Sequence, residues 1–269
     1  MEFAGYLASF IVGISLGLVG GGGSILMVPV LVYLFGIAPV NATAYSLFIV
    51  GLTSLIGAFP KIRQNLVSFR TAVVFGIPSI FSVFLTRKYL VPAIPEIIWR
   101  SGEIVVTRSL ALMVLFGIIM LVASVSMINA KKCVDCSDDE SQDFNYPLIL
   151  VEGVLVGLLT GLVGAGGGFL IIPALVALSK LTMKKAVGTS LLIIAAKSLI
   201  GFSGDLNAGV VHIDYRILFL VTALAVGGIF VGNALSRKID GEKLKKLFGW
   251  LVLVMGLYVI ISEMTGILP

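Results

Sequence analysis

Charge is scarce in this chain. Asp, Glu, Lys and Arg make up 12% of its 269 residues, about half of the ~25% typical of soluble proteins. So little charge cannot coat a water-facing surface, and 58% of the residues are hydrophobic. A soluble globular fold is excluded, and most of the surface is expected to face lipid. There is a single histidine, His212, and two cysteines, Cys133 and Cys136, which stand as one CxxC in the polar stretch 130–146. A structural zinc site needs four ligands. We therefore read a solvated linker with incidental thiols, the alternative being a redox or metal role. The Walker P-loop and the HExxH zinc-protease pattern are missing, which argues against ATP hydrolysis and zinc-protease chemistry. No cofactor is expected. The net charge of +5 comes from Lys and Arg in short loops between apolar runs, a topology signal rather than a nucleic-acid patch. Met1-Glu2-Phe3 lacks the basic start of a cleaved leader, so no removable segment is expected.

What is present is apolar sequence in membrane-sized pieces. Runs long enough for a ~30 Å hydrocarbon core, about 20 helical residues, fall at 42–59, 69–86, 109–128, 184–203, 216–235 and 246–263. Two longer runs, 4–36 and 147–179, are broken by glycine clusters. Trp99 and Trp250 lie near span ends and read as interfacial anchors.

The two halves repeat. A shift of 144 residues aligns 12–57 with 156–201 without a gap, and 21 of the 46 pairs are identical. GLVGGGGSILMVPVL at 17–31 matches GLVGAGGGFLIIPAL at 161–175. Glycine-interrupted helices at corresponding places in two halves are the best sequence pointer to a secondary-transporter binding site. The bland alternative is an old duplication kept for helix packing. We expect an all-α polytopic membrane protein with a first repeat at 1–129, a cytoplasmic linker at 130–146 and a second repeat at 147–269.

A continuous helix of 33 residues would be about 50 Å long, too long for one span. Folding each broken run into a V of two half-helices that enters and leaves on one side leaves three full spans per half. Three is odd, so the repeats are expected to be inverted. Lys and Arg outside the spans then divide 13 to 5 between the two sides. Corresponding loops also differ: 37–43 has no basic residue and 180–185 has three, while 60–70 has three and 204–216 has one. The richer side belongs in the cytoplasm, which puts both termini outside. Parallel repeats, each long run being a single broken span, remain the alternative.

Glycine lets a ligand approach the main chain closely, and a half-helix that starts beyond it leaves its first N–H groups without intrahelical partners. Together with the positive helix end, such groups bind anions. The candidate binding residues are thus Gly20, Gly21, Gly22, Gly23 and Ser24, with Gly164, Ala165, Gly166, Gly167 and Gly168 in the second half. If these glycines serve only close helix contact they are packing residues, the role we assign to Gly13 with Gly17 and to Gly157 with Gly161. Pro29 and Pro173 would kink the half-helices that follow. Lys197 is the one basic residue expected inside a span. It shares a helical face with Ser190 and Gly201, and its counterpart Thr53 shares one with Ser46 and Gly57. An intramembrane charge is a functional candidate by default, and its natural partner is the anion; snorkelling toward the interface is the alternative. Glu152 and Asp205 are candidate proton carriers, although Glu152 lies near a helix start and Asp205 at the beginning of a loop.

At the paired GLVGGGGSILMVPVL and GLVGAGGGFLIIPAL segments the chain resembles the sulfite exporter TauE/SafE family, over nearly its whole length. The family's glycine motifs fall on Gly20–Ser24 and Gly164–Gly168. The resemblance implies transport of sulfite, sulfonates or related sulfur-containing anions, whereas the residues themselves reach only a small anion. Secondary transport across the cytoplasmic membrane is the expected function. A passive anion channel, an intramembrane enzyme and a scaffold or receptor are the rivals.

Overall fold

The computed structural model describes residues 2–101, 104–129, 146–163, 167–177, 181–208, 214–236 and 241–265. Helix dominates. In a bilayer no water satisfies a bare N–H or C=O, so an apolar chain must close its backbone hydrogen bonds within each segment. The long helices are α1 (Glu2–Val19), α2 (Pro39–Arg63), α3 (Phe69–Leu85), α4 (Arg108–Asn129), α5 (Tyr146–Val163), α6 (Gly168–Ala177), α7 (Met183–Ala208), α8 (Tyr215–Leu235) and α9 (Gly241–Thr265). Five segments are long and apolar enough to cross a membrane: Pro39–Arg63, Phe69–Ala93, Arg108–Val125, Met183–Leu206 and Tyr215–Leu235. Shorter apolar stretches lie in α1, α5 and α9. The linker 130–146, with Cys133 and Cys136, lies outside the described residues apart from Tyr146.

Helix starts follow local chemistry. Pro39 opens α2 at a position where its missing N–H costs nothing. Ser68 caps α3 by accepting from the Thr71 N–H. Asp214 caps α8 by accepting from the Arg216 and Ile217 N–H groups. The helical reading needs one addition. Ile97–Ser101 and Ile104–Thr107 form an antiparallel hairpin, β1 and β2, with Arg100 opposite Val105. Gly-Glu at 102–103, between short runs rich in Ile, Trp and Val, was its available signal.

α2 and α7 form the centre. They pack against each other, and 72% of each span is buried, against 39–44% in the other three. Around them α1 packs on α8, α5 on α3, α3 on α7, α8 on α2, and α4 on α9. Outward positions are apolar, as lipid requires: Ile77 is 63% and Phe81 65% exposed. Trp99 and Trp250 are exposed too.

Small residues set the closest contacts. A Cβ on Gly17 would stand 2.6 Å from the Ile229 carbonyl oxygen, and one on Gly13 would strike the Ala225 backbone. On α5, a Cβ on Gly157 would stand 2.6 Å from the Ser79 carbonyl oxygen and one on Gly161 2.9 Å from the Thr86 side chain. These are the four glycines whose spacing predicted packing. Gly13→Val is accordingly expected to destabilise the fold by about 1–3 kcal/mol, the usual cost of overpacking. A thermal melt checks this; an unchanged midpoint would show that α1 and α8 can part without loss.

Between α1 and α2 the chain is helical but irregular. A tight three-residue-per-turn stretch, Gly20–Leu26, is followed by one ordinary turn, Met27–Pro29, and a wide stretch, Val30–Leu34. The wide turns follow Pro29, whose absent N–H and bulky ring break the regular ladder. This stretch runs back along α1. Gly23 lies against Ser15 and Leu16, while Phe35 lies against Gly5 and packs edge-on to Tyr6 at 5.1 Å.

Candidate functional site

The reversal occurs at Gly20, whose φ of +68° belongs to the left-handed region that side chains avoid. A Cβ there would stand 2.8 Å from Val187 Cγ1 and 3.2 Å from Ser190 Oγ on α7. Gly21 reaches farther. A Cβ on it would run into Ile194 and into the Gly168 backbone, and one on Gly168 would run into the Gly21 backbone. The two glycine breaks, 147 positions apart by these numbers, touch main chain to main chain. Gly23 is buried beside α1. The Ser24 hydroxyl donates to the Gly21 carbonyl at 2.7 Å and so holds the turn. Gly22 lies within the Gly20–Leu26 stretch.

The second break contributes Gly167 and Gly168; Gly164, Ala165 and Gly166 lie outside the described residues. Gly167 also has a left-handed φ, +70°. Its carbonyl accepts from the Leu170 and Ile171 N–H groups, both at 3.1 Å. The N–H groups of Gly168 and Phe169 precede those first intrahelical donors, so the start of α6 has the open-ended geometry of a helix N-terminus.

One face of α7 receives both breaks. Val187 and Ser190 meet Gly20, Ile194 meets Gly21, and a Cβ on Gly167 would stand 2.5 Å from Lys197 Nζ. The spacing i, i+3, i+7, i+10 keeps these four on one stripe. Lys197 is 1% exposed. Its ammonium donates to Thr160 Oγ1 at 3.2 Å, and Thr160 lies on α5 just before the second break. No carboxylate pairs with Lys197 among the described residues. Ser190 donates to the Val187 carbonyl at 2.8 Å, leaving its lone pairs toward Gly20. On α2, Ser46 and Thr53 are fully buried, and neither hydroxyl has a hydrogen-bond partner among the described residues. The 810 Å³ groove between α3 and α5 is lined by Pro78, Phe81, Leu150 and other apolar residues, away from the breaks.

The carboxylates do not join this cluster. Glu152 is half-buried on α5, and its Oε2 has no hydrogen-bond partner among the described residues. Asp205 does not begin a loop: α7 continues to Ala208, and Asp205 is 4% exposed, 3.5 Å from Arg87 NH1. Nor is Lys197 alone among buried basic residues. Arg87 belongs to the wide turns Thr86–Leu90 that prolong α3, and it is 1% exposed. The charge-dense string Thr-Arg-Lys hid this, because α3 carries its helix past the last apolar residue of the run.

Thr160 and Ile194 were missed by reading the halves for their identities. The informative signal was where the halves differ. Thr160 stands where the first half has Leu16, and Lys197 where it has Thr53. These two departures are hydrogen-bonded to each other.

Known proteins are similar to this chain over nearly its whole length. A probable membrane transporter protein of Methanocaldococcus jannaschii is 30% identical over 270 residues, covering 95% of this chain and 94% of its own. One of Xylella fastidiosa is 28% identical over 93% of this chain and 91% of its own. The probable membrane transporter protein YunE of Bacillus subtilis is 26% identical over 92% and 96%. No solved structure matches. The family profile described as Sulfite exporter TauE/SafE matches residues 6–259, and the chain therefore belongs to the sulfite exporter TauE/SafE family.

Proposed function

We propose that the protein is a secondary transporter of a small sulfur-containing oxyanion or sulfonate, bound where the two glycine breaks meet beside Lys197. The observation that carries this reading is the direct contact of Gly21 with Gly168, next to a buried ammonium that has only the Thr160 hydroxyl as a described partner. Main-chain N–H groups, two helix ends and one ammonium make an anion-selective set, and no carboxylate joins it among the described residues. In this conformation the breaks are closed on each other. Admission of an anion requires them to part, which is the movement that alternating access about a fixed site supplies.

The symmetry of the packing supports a two-fold relation between the halves, and the re-entrant first break, which leaves three spans per half, favours the inverted form. The 144-residue shift carries α1 and α2 onto α5 and α7, and in chain order α3 and α4 then correspond to α8 and α9. The contact of α1 with α8 becomes that of α5 with α3; α2 with α8 becomes α7 with α3; α2–α7 and α4–α9 map onto themselves. Each half thus builds its partner's surroundings. The return of the chain from Gly20 to Phe35 beside Tyr6 supports a re-entrant V in the first half. Both termini then lie outside, and the linker with Cys133 and Cys136 lies in the cytoplasm.

Purified protein in liposomes tests the function. Labelled sulfite should accumulate faster when unlabelled sulfite is trapped inside, with saturation. Linear, non-saturating flux without counterflow would replace the carrier by a passive anion channel, and no flux of sulfite, sulfoacetate or taurine would remove the substrate class. An impermeant thiol reagent tests the topology. It should spare Cys133 and Cys136 in intact cells and modify them after lysis, while cysteines added at either terminus react at once. Labelling of the native pair in intact cells would invert the assignment.

A further inference from the structure

Arg87 is the largest fully buried side chain among the described residues, and its surroundings do not account for its charge. A guanidinium carries five N–H donors in a planar fork. Among the described residues only NH1 has a hydrogen-bond partner, donating to Thr43 Oγ1 at 3.0 Å, and Nε and NH2 have none. The neighbouring carboxylate is a poor counter-ion. Asp205 approaches through one oxygen at 3.5 Å, whereas a committed Arg–carboxylate pair is bidentate with bonds of about 2.7–2.9 Å. Asp205 Oδ2 has no hydrogen bond among the described residues, and the residue lies three positions before the end of α7, where the helix dipole disfavours negative charge. Thr43 is fully committed. Its hydroxyl donates to the Val40 carbonyl at 2.7 Å and accepts from Arg87, which fixes one edge of the fork and leaves the other open. Thr43 lies in the opening turns of α2, whose first residue has no side-chain cap before it. A buried charge normally gathers enough partners to offset its lost hydration. Here the donors are in place and the acceptors are missing.

We propose that Arg87, with Thr43 and the start of α2, is a second anion position at the outer end of α2, α3 and α7, and that Asp205 is the weak counter-ion an oxyanion displaces. Two oxygens of a sulfite or sulfonate group match the open Nε–NH2 edge, as planar bidentate recognition requires. The identification of that oxyanion with the transported one rests on the function proposed above. The site is then a waystation between one face of the membrane and the glycine breaks, and Asp205 keeps it neutral between passages.

The test is thermal-shift titration of the full-length protein with sodium sulfite at constant ionic strength, paired with sulfite uptake in liposomes. Asp205→Asn removes the competing charge and should tighten apparent sulfite binding by about tenfold or more. An Asp205→Asn protein with unchanged or weaker binding overturns the inference and leaves a purely structural ion pair. The charge-neutral Arg87→Gln/Asp205→Asn variant avoids an unpaired buried charge and decides the matter if the single variant does not fold. It should keep sulfite binding within about twofold of wild type, from the glycine breaks, while uptake falls about tenfold. Wild-type uptake by that variant also overturns the inference. If wild type neither binds nor transports sulfite, the proposed substrate falls, and binding gained by Asp205→Asn still separates the Arg87 position from that failure.

Discussion

Gly21→Val and Gly168→Val are each expected to abolish sulfite transport, and Gly168→Ala to reduce it severely. The reason is geometric. The three atoms nearest a Cβ at Gly168 all belong to the Gly21 backbone, and a Cβ at Gly21 meets the Gly168 backbone and the tip of Ile194. Backbone cannot rotate away as a side chain does, so the two breaks must separate. Overpacking of this kind costs about 1–3 kcal/mol, which is a factor of about 5 to 150 against the closed arrangement that each transport cycle must pass through. Liposome uptake and thermal-shift titration with sulfite, run on each purified variant, measure it. Gly13→Val is the control: it strains the α1–α8 contact, so its melting point should fall while the sulfite-induced shift persists. Gly168→Ala with wild-type uptake would leave the glycines as packing residues.

How far the sequence revealed this arrangement differs from element to element. The helical membrane class followed from the shortage of charge, and the break at Gly20 from four consecutive glycines and a later proline. Both are local, and local chemistry is what a single sequence expresses. The packing glycines were legible for the same reason, since Gly13 with Gly17 needs only a helix to share a face. The meeting of Gly21 with Gly168 was not legible, because it depends on how two halves interlock. The duplicate motifs suggested that the breaks were related without stating that they touch. Arg87 was misplaced because composition ends a span where charge begins, whereas the helix continues through Thr86–Leu90 and draws the guanidinium inward to Thr43 and Asp205. The β-hairpin was overlooked because two strands of five and four residues, without apolar–polar alternation and set between two long spans, look like an ordinary loop. Lys197 was visible as a lone charge in an apolar run, but its partner Thr160 was not, since hydroxyls are common in membrane helices.

Lys197→Met is expected to weaken sulfite binding by about ten- to a hundredfold and to leave the ligand-free protein at least as stable. Methionine matches the length of the aliphatic stem, so the volume beside Gly167 stays filled and only the charge departs. At 1% exposure the ammonium cannot snorkel to water in this conformation. Its one described partner is a neutral hydroxyl at 3.2 Å. Burying a charge in the middle of a membrane helix costs about 2.5–3.5 kcal/mol on insertion scales, and a single hydroxyl returns about 1.5–3 kcal/mol for a charged hydrogen bond. A structural role for such a group would leave little or nothing gained. An anion at the glycine breaks supplies the missing counter-charge, and losing a charge-assisted contact of that kind corresponds to the predicted drop in affinity. Two readouts separate the roles. If Lys197 serves the anion, the sulfite titration shifts to higher concentration and the melting point without sulfite holds or rises. If it serves only the packing of α7 on α5, the melting point falls and the affinity of the folded fraction is unchanged. Thr160→Val gives an independent check, because it removes the hydroxyl that orients the ammonium and keeps the charge. It should cost a smaller part of the affinity, about two- to tenfold, and wild-type binding by both Lys197→Met and Thr160→Val would detach the buried ammonium from the anion altogether.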